Sequence, residues 1–404
     1  MLRHLLKLIW KRKSRNLMLT LEILLAFVLV FAIAAFGARS WQLYRMPLGY
    51  QPGNVWSVTI KTSRDTPPMK GDAQLRDHFR RTLAALPQVE DVAFSNFSPF
   101  QHANMSSTFR LPPDARAVRV GMMETSDAFF PVLGMQALAG AWYSAADDGL
   151  ADTPVVINRL FAEQLAPGPD AAGRAVGKIY MSSEYSGTPS RYVVRAVVED
   201  FRQQGEFSTP RPYMLLRFGP DATMHGAQTI LLRMKAGTPR SFEAVLQAQL
   251  KGMRPGWEFA ISPLDDLRSA MHKVDMAPLL VLSVVAAFLL LMVAFGLFGV
   301  LWQNTTRRIP EIGLRRAIGA SAGDIYRQII AEQFLLSSVA MLAGLALLVQ
   351  LPLTGALGAG LNWQVFFAAA GLAMLIIYLL SLLCSVYPGW RASRLSPTEA
   401  LHYE

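Results

Sequence analysis

Gly319-Ala-Ser-Ala-Gly323 has the G-x-S-x-G spacing of a nucleophile elbow. In that motif a sharp strand-to-helix turn exposes a serine beside a histidine and an oxyanion hole, and the chemistry is acyl transfer. No strand pattern precedes it here, and Ser321 with Asp324 reads instead as a capping box that opens a helix. Gly173-Arg-Ala-Val-Gly177-Lys178 resembles a phosphate-binding loop, but it is one residue short between its glycines and Ile179 replaces the serine or threonine. The six histidines (4, 78, 102, 225, 272 and 402) are scattered, and none forms an H-E-x-x-H motif or a Cys/His cluster. Cys384 is the single cysteine and lies in an apolar run, so no disulfide forms within the chain and cysteine usage does not indicate the redox compartment. The expectation is a non-catalytic chain without a metal or cofactor of its own.

Composition narrows the class. Of 404 residues 52% are apolar and 17% charged, against about 25% charged in an ordinary soluble protein. That excludes a disordered chain and weighs against a soluble enzyme. The net charge of +10, from 39 basic and 29 acidic residues, suits nucleic acid or the inner face of a membrane. Charge-free runs decide: there is no charged residue from Met276 to Thr306 or from Gln333 to Trp390, and about 20 apolar residues cross a bilayer. Four spans are predicted, at 17–38, 276–302, 329–351 and 363–387, the last ended by Pro388. The first follows Lys11-Arg12-Lys13 but is longer than the apolar core of a cleaved signal, about 7–15 residues, and is read as uncleaved.

Basic residues near the span ends orient the chain. Residues 1–16 carry six basic side chains and no acidic one, and the 303–328 loop carries Arg307, Arg308, Arg315, Arg316 and Arg327 against Glu311 and Asp324. Both are predicted to be cytoplasmic, as is the tail 388–404. The uncharged 352–362 loop and the large insertion 39–275 are predicted to lie outside. The insertion holds 26 basic and 23 acidic residues, a net of +3, which leaves +7 on the remainder. That distribution suits an anionic inner leaflet and removes the case for nucleic acid as a partner.

Within the insertion, Val55–Ile60, Val89–Phe94, Tyr192–Val198 and Thr229–Met234 read as strands, and Gly71–Leu86 and Ser241–Met253 as helices. A more irregular lobe is expected at about 100–220. The fold class is an α-helical membrane protein with four transmembrane helices and a large α+β extracytoplasmic domain inserted between helices 1 and 2.

The cytoplasmic pieces carry the most information. Leu2, Leu5, Leu6 and Ile9 share one face of an amphipathic helix that would lie on membrane lipid. In the 303–328 loop, Pro310 and Glu311 suit the start of a short helix and Gly319 its end. Ile309, Ile312 and Ala317 lie among its arginines. It reads either as a docking piece for a soluble partner or as a positive-inside loop that fixes topology. In the tail, Ser396 with Glu399 forms a capping box and Pro397 takes the first helical position. Glu22 and Glu332 sit one to two turns inside predicted spans. Such acids are costly and often functional, but here snorkelling or pairing with nearby arginines favours a structural role.

The run Arg307-Arg-Ile-Pro-Glu-Ile-Gly-Leu-Arg-Arg-Ala-Ile-Gly-Ala320 and the ending Pro388…Arg-Ala-Ser-Arg-Leu-Ser-Pro-Thr-Glu-Ala-Leu-His-Tyr-Glu404 resemble the permease subunits of the MacB/FtsX/LolCDE superfamily of ABC transporters. Pro154–Phe161 and Tyr192–Asp200 resemble that family's periplasmic core domain. The resemblance implies an inner-membrane permease that couples a separate ATPase to movement of its outer domain. It assigns ATPase coupling to Arg307, Arg308, Glu311, Ile312, Gly313, Arg315, Arg316, Ala317 and Gly319, with a second contact from Pro397, Glu399, Ala400 and Leu401. It implies ATP and magnesium in the partner chain only and a second permease chain, homo- or heterodimeric, and it is compatible with a periplasmic adaptor. The substrate would be a peptide, a lipoprotein or a drug-like compound. The alternative is a membrane sensor or scaffold, or an FtsX-like regulator of cell-wall hydrolases.

Overall fold

The computed structural model describes residues 13–61, 73–111, 116–182, 190–218, 228–355 and 361–394. Most of the expected N-terminal amphipathic helix and the tail residues Pro397, Glu399 and Leu401 lie outside them. The chain divides into a helical unit, Met1–Gln42 with Met276–Glu404, and an inserted unit, Leu43–Asp275.

Helix α1 (Lys13–Tyr44) leads into the inserted unit. In chain order that unit runs β1 (Val55–Lys61), α2 (Ala73–Ala84), β2 (Val89–Ser95), β3 (Met105–Leu111), β4 (Arg116–Thr125), α3 (Phe129–Val132), β5 (Ala137–Gly140), β6 (Thr153–Asn158), α4 (Arg159–Leu165), α5 (Ala171–Ala175), β7 (Ile179–Ser182), β8 (Ser190–Val198), β9 (Tyr213–Arg217), β10 (Thr229–Met234), α6 (Phe242–Met253) and β11 (Glu258–Pro263). Strands β11, β1, β10 and β2 lie side by side in that order, each antiparallel to its neighbour. Each of the pairs β1–α2–β2 and β10–α6–β11 therefore steps over one strand of the other, giving two interlocked split βαβ units. Leu75, Phe79 and Leu83 of α2 and Phe242, Leu246 and Leu250 of α6 recur every fourth residue and are buried. They cover the face that carries Trp56, Val58, Val92, Phe94, Ile230 and Leu232. The alternate residues Val55, Ala93 and Leu231 point to a second core on the other face.

The intervening lobe differs from the irregular stretch expected at 100–220. From β4 the pairing runs β3, β7, β8, β6 and β9, and β9 returns to pair in parallel with β4, Gly121 opposite Tyr213 through Thr125 opposite Arg217. Six strands thus close into a ring, which leaves no open edge among them. All six contribute to one apolar cluster that includes Phe109, Val120, Val155, Tyr180, Val194 and Met214. The Tyr180 hydroxyl lies 2.7 Å from the Met214 sulfur. β7 and β9 are not neighbours in the ring, so this contact crosses its interior. Gly121 makes the closure possible: a Cβ there would meet the Tyr213 ring at 2.6 Å. The strands are short, several of four to seven residues, which is why their alternation is faint in the sequence.

Helix α7 (Leu264–Thr306) begins in the inserted unit and passes at Met276 into the helical unit, which continues with α8 (Ile309–Ala317), α9 (Ala322–Leu348), α10 (Gln350–Thr354) and α11 (Trp363–Ser393). Among the described residues, the four helices containing the predicted spans are long and apolar enough to cross a membrane. Pro388, expected to end the last one, lies inside α11; neighbouring helices make an interior proline tolerable in such a segment. The core joins Leu19, Ile23 and Phe27 of α1 to Met341 of α9 and to Phe366 and Ile377 of α11. Gly344 lets α1 approach closely, since a Cβ there would meet the Phe27 ring at 2.7 Å. Ser337 and Ser381 hydrogen-bond at 2.8 Å, and Ser338 and Tyr378 at 2.8 Å, a polar seam between α9 and α11.

One carboxylate of the inserted unit is almost wholly buried. Glu206 is 3% exposed and accepts hydrogen bonds from Arg268 Nε at 2.5 Å and His272 Nε2 at 2.7 Å. Burial pushes its pKa up, but the His272 hydrogen bond, its own backbone amide and the Arg268 charge outweigh burial and hold it below the ordinary 4.5. A depressed carboxylate stabilises the fold above its unfolded pKa, and that contribution is lost as pH falls through the folded value. Thermal unfolding of the detergent-solubilised chain should therefore shift down as pH drops below about 4.5, and Glu206→Gln should flatten that part of the profile. In the ring, Phe109→Ala should destabilise by about 3–5 kcal/mol in denaturant unfolding.

Candidate functional site

The 303–328 segment folds mainly as helix. Pro310 occupies the first turn of α8, where a missing amide hydrogen costs nothing. Gly319 ends the turn after it with φ +104°. Ser321 then caps α9: its hydroxyl accepts from the Asp324 amide, and the Asp324 carboxylate accepts from the Ser321 amide. That reciprocal cap, in a turn between two helices, is the role of the G-x-S-x-G serine.

Ile309, Ile312 and Gly313 are buried, and Ile312 packs with Ile325 of α9 and Ala392 of α11. Five side chains then close a circuit around this contact. Arg308 Nη1 meets Glu332 Oε2 at 2.5 Å, and Gln328 Nε2 donates to Glu332 Oε1 at 2.9 Å. Gln328 Oε1 accepts from Arg315 Nη1 at 2.6 Å, and Arg315 Nη2 meets Glu311 at 2.7 Å. Glu311 returns to Arg308 at 3.8 Å. Arg308 and Glu332 are 15% and 19% exposed, so theirs is the shielded pair of the circuit. On the other flank, Arg316 Nη1 donates to the Ser393 carbonyl at 2.6 Å, satisfying an orphan acceptor at the end of α11. Arg391 lies over the Trp302 ring at 4.6 Å, and Trp302 stacks on Tyr387 at 5.8 Å.

Arg308, Glu311, Arg315, Arg316 and Glu332 thus come together, and they brace α8 rather than project from it. Glu22 takes no part in the circuit; its carboxylate lies against Gly296. Arg307, Ala317 and Gly319 are exposed. Of the apolar residues expected among the arginines, Ile309 and Ile312 face inward. The residues left outside are Leu314, 56% exposed, and Ile318, 78% exposed. Their four-residue spacing, continuing Arg307 and Pro310 along one face, is the sequence signal that identifies them. Among the described residues, no group of three or more His, Cys, Asp or Glu side chains could hold a metal ion.

Four helices long and apolar enough to cross a membrane, with an α+β domain inserted between the first and second, are the architecture of a multi-pass membrane protein. The MacB-like periplasmic core domain matches residues 17–248, more than half of the chain, and the FtsX-like permease C-terminal family matches residues 283–397. The chain belongs to the MacB/FtsX-type family of ABC transporter permeases, and its inserted unit is that family's periplasmic domain. A macrolide export ATP-binding/permease protein MacB from Agrobacterium fabrum is 23% identical over 97% of this chain and 59% of its own length. That of Bdellovibrio bacteriovorus is 31% identical over 37% of this chain and 23% of its own length. The chain spans about half the length, or less, of the curated relatives it matches. Among solved structures, the periplasmic region of MacB from Actinobacillus actinomycetemcomitans aligns with 57% of this chain and 98% of its own, at TM-score 0.38 and 14% identity.

If the circuit braces α8 as a unit, Arg308→Met and Glu332→Gln should each lower the unfolding temperature. Their double-mutant cycle should give a coupling of about 0.5–3 kcal/mol, read from thermal unfolding of the purified chain.

Proposed function

We propose that this chain is the permease subunit of a MacB-like ABC transporter complex of the bacterial inner membrane, and that α8 is the coupling helix on which a separate ATPase subunit rests. The observation that carries the reading is the division of α8 into two faces. One face is fixed to α9 and α11 by Ile312, the five-residue circuit and Arg316. The other leaves Leu314 and Ile318 open, with the exposed Arg307 about two to three turns ahead of them. Exposed aliphatic anchors suit docking into a soluble subunit. A push on the open face would pass into two membrane helices, because the bonds beneath it are short, charged and multiple. ATP and magnesium would be bound by the partner, whose closure would draw two such helices together in a dimer of permease chains. The basic residues of 1–16 and 303–328 support cytoplasmic termini and a cytoplasmic α8, with residues 39–275 outside. The outer domain would then do the work of exporting or extracting a peptide, lipoprotein or drug-like substrate. Pro397, Glu399 and Leu401 would add a second contact to the ATPase.

The combined substitution Leu314→Asp and Ile318→Asp should cut co-purification of the ATPase at least about tenfold, equivalent to about 1.4 kcal/mol, while the chain keeps its thermal unfolding profile. Unchanged ATPase association and unchanged ATPase stimulation in the double variant would overturn the coupling-helix reading.

A further inference from the structure

The chain passes between its two units twice, at Gln42–Leu43 and at Asp275–Met276. Inside the inserted unit, the turn that follows β8 holds the residues next to both crossings. Arg202 is 2% exposed. Its Nη1 donates to the carbonyl oxygens of Leu43 and Met46, each at 2.9 Å, and its backbone amide donates to the Leu48 carbonyl at 3.0 Å. These are acceptors at and just beyond the end of α1, where a helix leaves its last carbonyls unsatisfied and favours a cation. The other arm of the same guanidinium, Nη2, donates to the carbonyls of Ser208, at 2.8 Å, and Glu206.

Glu206 carries the connection onward. Its buried carboxylate receives Arg268 and His272 from the first turns of α7, close to the second crossing. Phe207 fills the space between: its ring stacks on Tyr44 at 5.9 Å and meets the His272 ring edge-on at 5.3 Å. Tyr44 and His272 also touch directly, at 6.1 Å between centroids. Gly205 shapes the turn, with φ +87°, where a side chain is strained, and a Cβ position 3.1 Å from the Phe100 ring, a tight approach. A continuous path of bonds therefore runs from Leu43 and Met46 through Arg202 and Glu206 to Arg268 and His272.

We infer that Arg202, Glu206 and Phe207 form a clamp that locks together the two ends of the inserted unit, residues 43–48 and 268–272, so that they move as one piece. Charges joined by hydrogen bonds around the buried Arg202 and Glu206 act as a network, in which loss of one member is felt by the others. This separates a clamp from two independent local contacts, because release at one end must loosen the end that the altered side chain does not touch. The inference concerns this chain alone and holds whether or not an ATPase drives α8.

Hydrogen–deuterium exchange on the full-length chain in detergent micelles tests it. The peptides followed cover residues 43–50 and 264–275. Arg202→Met and Glu206→Leu should each speed exchange about tenfold or more in both segments. Arg191→Met, which breaks the exposed pair with Asp152, should change neither. Acceleration confined to the segment that the substituted residue contacts would overturn the clamp. If either buried substitution prevents folding, Arg268→Gln carries the same test from the more exposed side of the network. Arg268→Gln must speed exchange at 43–50, and no change there overturns the inference.

Discussion

The pairing of Arg308 with Glu332 is the interaction on which the arrangement of the 303–328 segment rests. Both charges sit at the edge of apolar helices, where an unpartnered charge is expensive and a paired one is held tightly. Glu332 supplies both carboxylate oxygens, one to Arg308 and one to Gln328, and Gln328 hands the connection to Arg315 and Glu311. The result fixes which face of α8 is turned inward. Once Ile309 and Ile312 are committed to the core, Leu314 and Ile318 have nowhere to go but outward. The open face of α8 thus lies opposite the side that the ion pair and Ile312 hold.

The inserted domain solves a different problem. Its outer strands and helices form a two-layer lobe with an apolar helix stripe facing each sheet strand's inward residues. The strands between them close on themselves through the parallel pairing of β9 with β4. A ring needs neither a long hydrophobic strand nor a covering helix on every side, because its interior is shared by all six strands. Four aromatic residues of the cluster pack on one another: Phe109, Phe161, Tyr180 and Tyr192 lie edge-on or tilted at 5.5–6.1 Å between centroids. The turn bearing Arg202 and Glu206 ties the inserted unit together at the two places where the chain enters and leaves it.

Much of this was legible in sequence where a single physical rule dominates. Charge-free runs mark helices that only an apolar medium accepts, and the residues at Leu75, Phe79 and Leu83 or Phe242, Leu246 and Leu250 announce a buried helix face by spacing alone. Ser321 with Asp324 and Gly319 were readable as helix punctuation because capping depends on neighbours within four residues. Pro388 misleads for the converse reason: a proline ends an isolated helix, whereas packing inside a bundle carries α11 past it to Ser393. The ring was illegible because its closure joins Gly121 to Tyr213, far apart in the chain, and because β3, β6, β7 and β9 have only four to seven residues in which to show a period.

The sequence by itself determined the class, the number of apolar helices and the segment that carries the basic residues, since each follows from local composition and the thickness of a bilayer. Only the tertiary structure decided which of the candidate residues brace and which present a surface. Arg308, Arg315 and Arg316 look alike beside Arg307 in the sequence. What distinguishes them is whether Glu332, Gln328 or the Ser393 carbonyl stands within hydrogen-bond reach, and those partners are 13 to 77 residues away. The same holds for Arg202, whose carbonyl partners Leu43 and Met46 lie 159 and 156 residues before it. Side-chain roles set by distant partners do not follow from spacing, because spacing reports only the neighbours that the local backbone supplies.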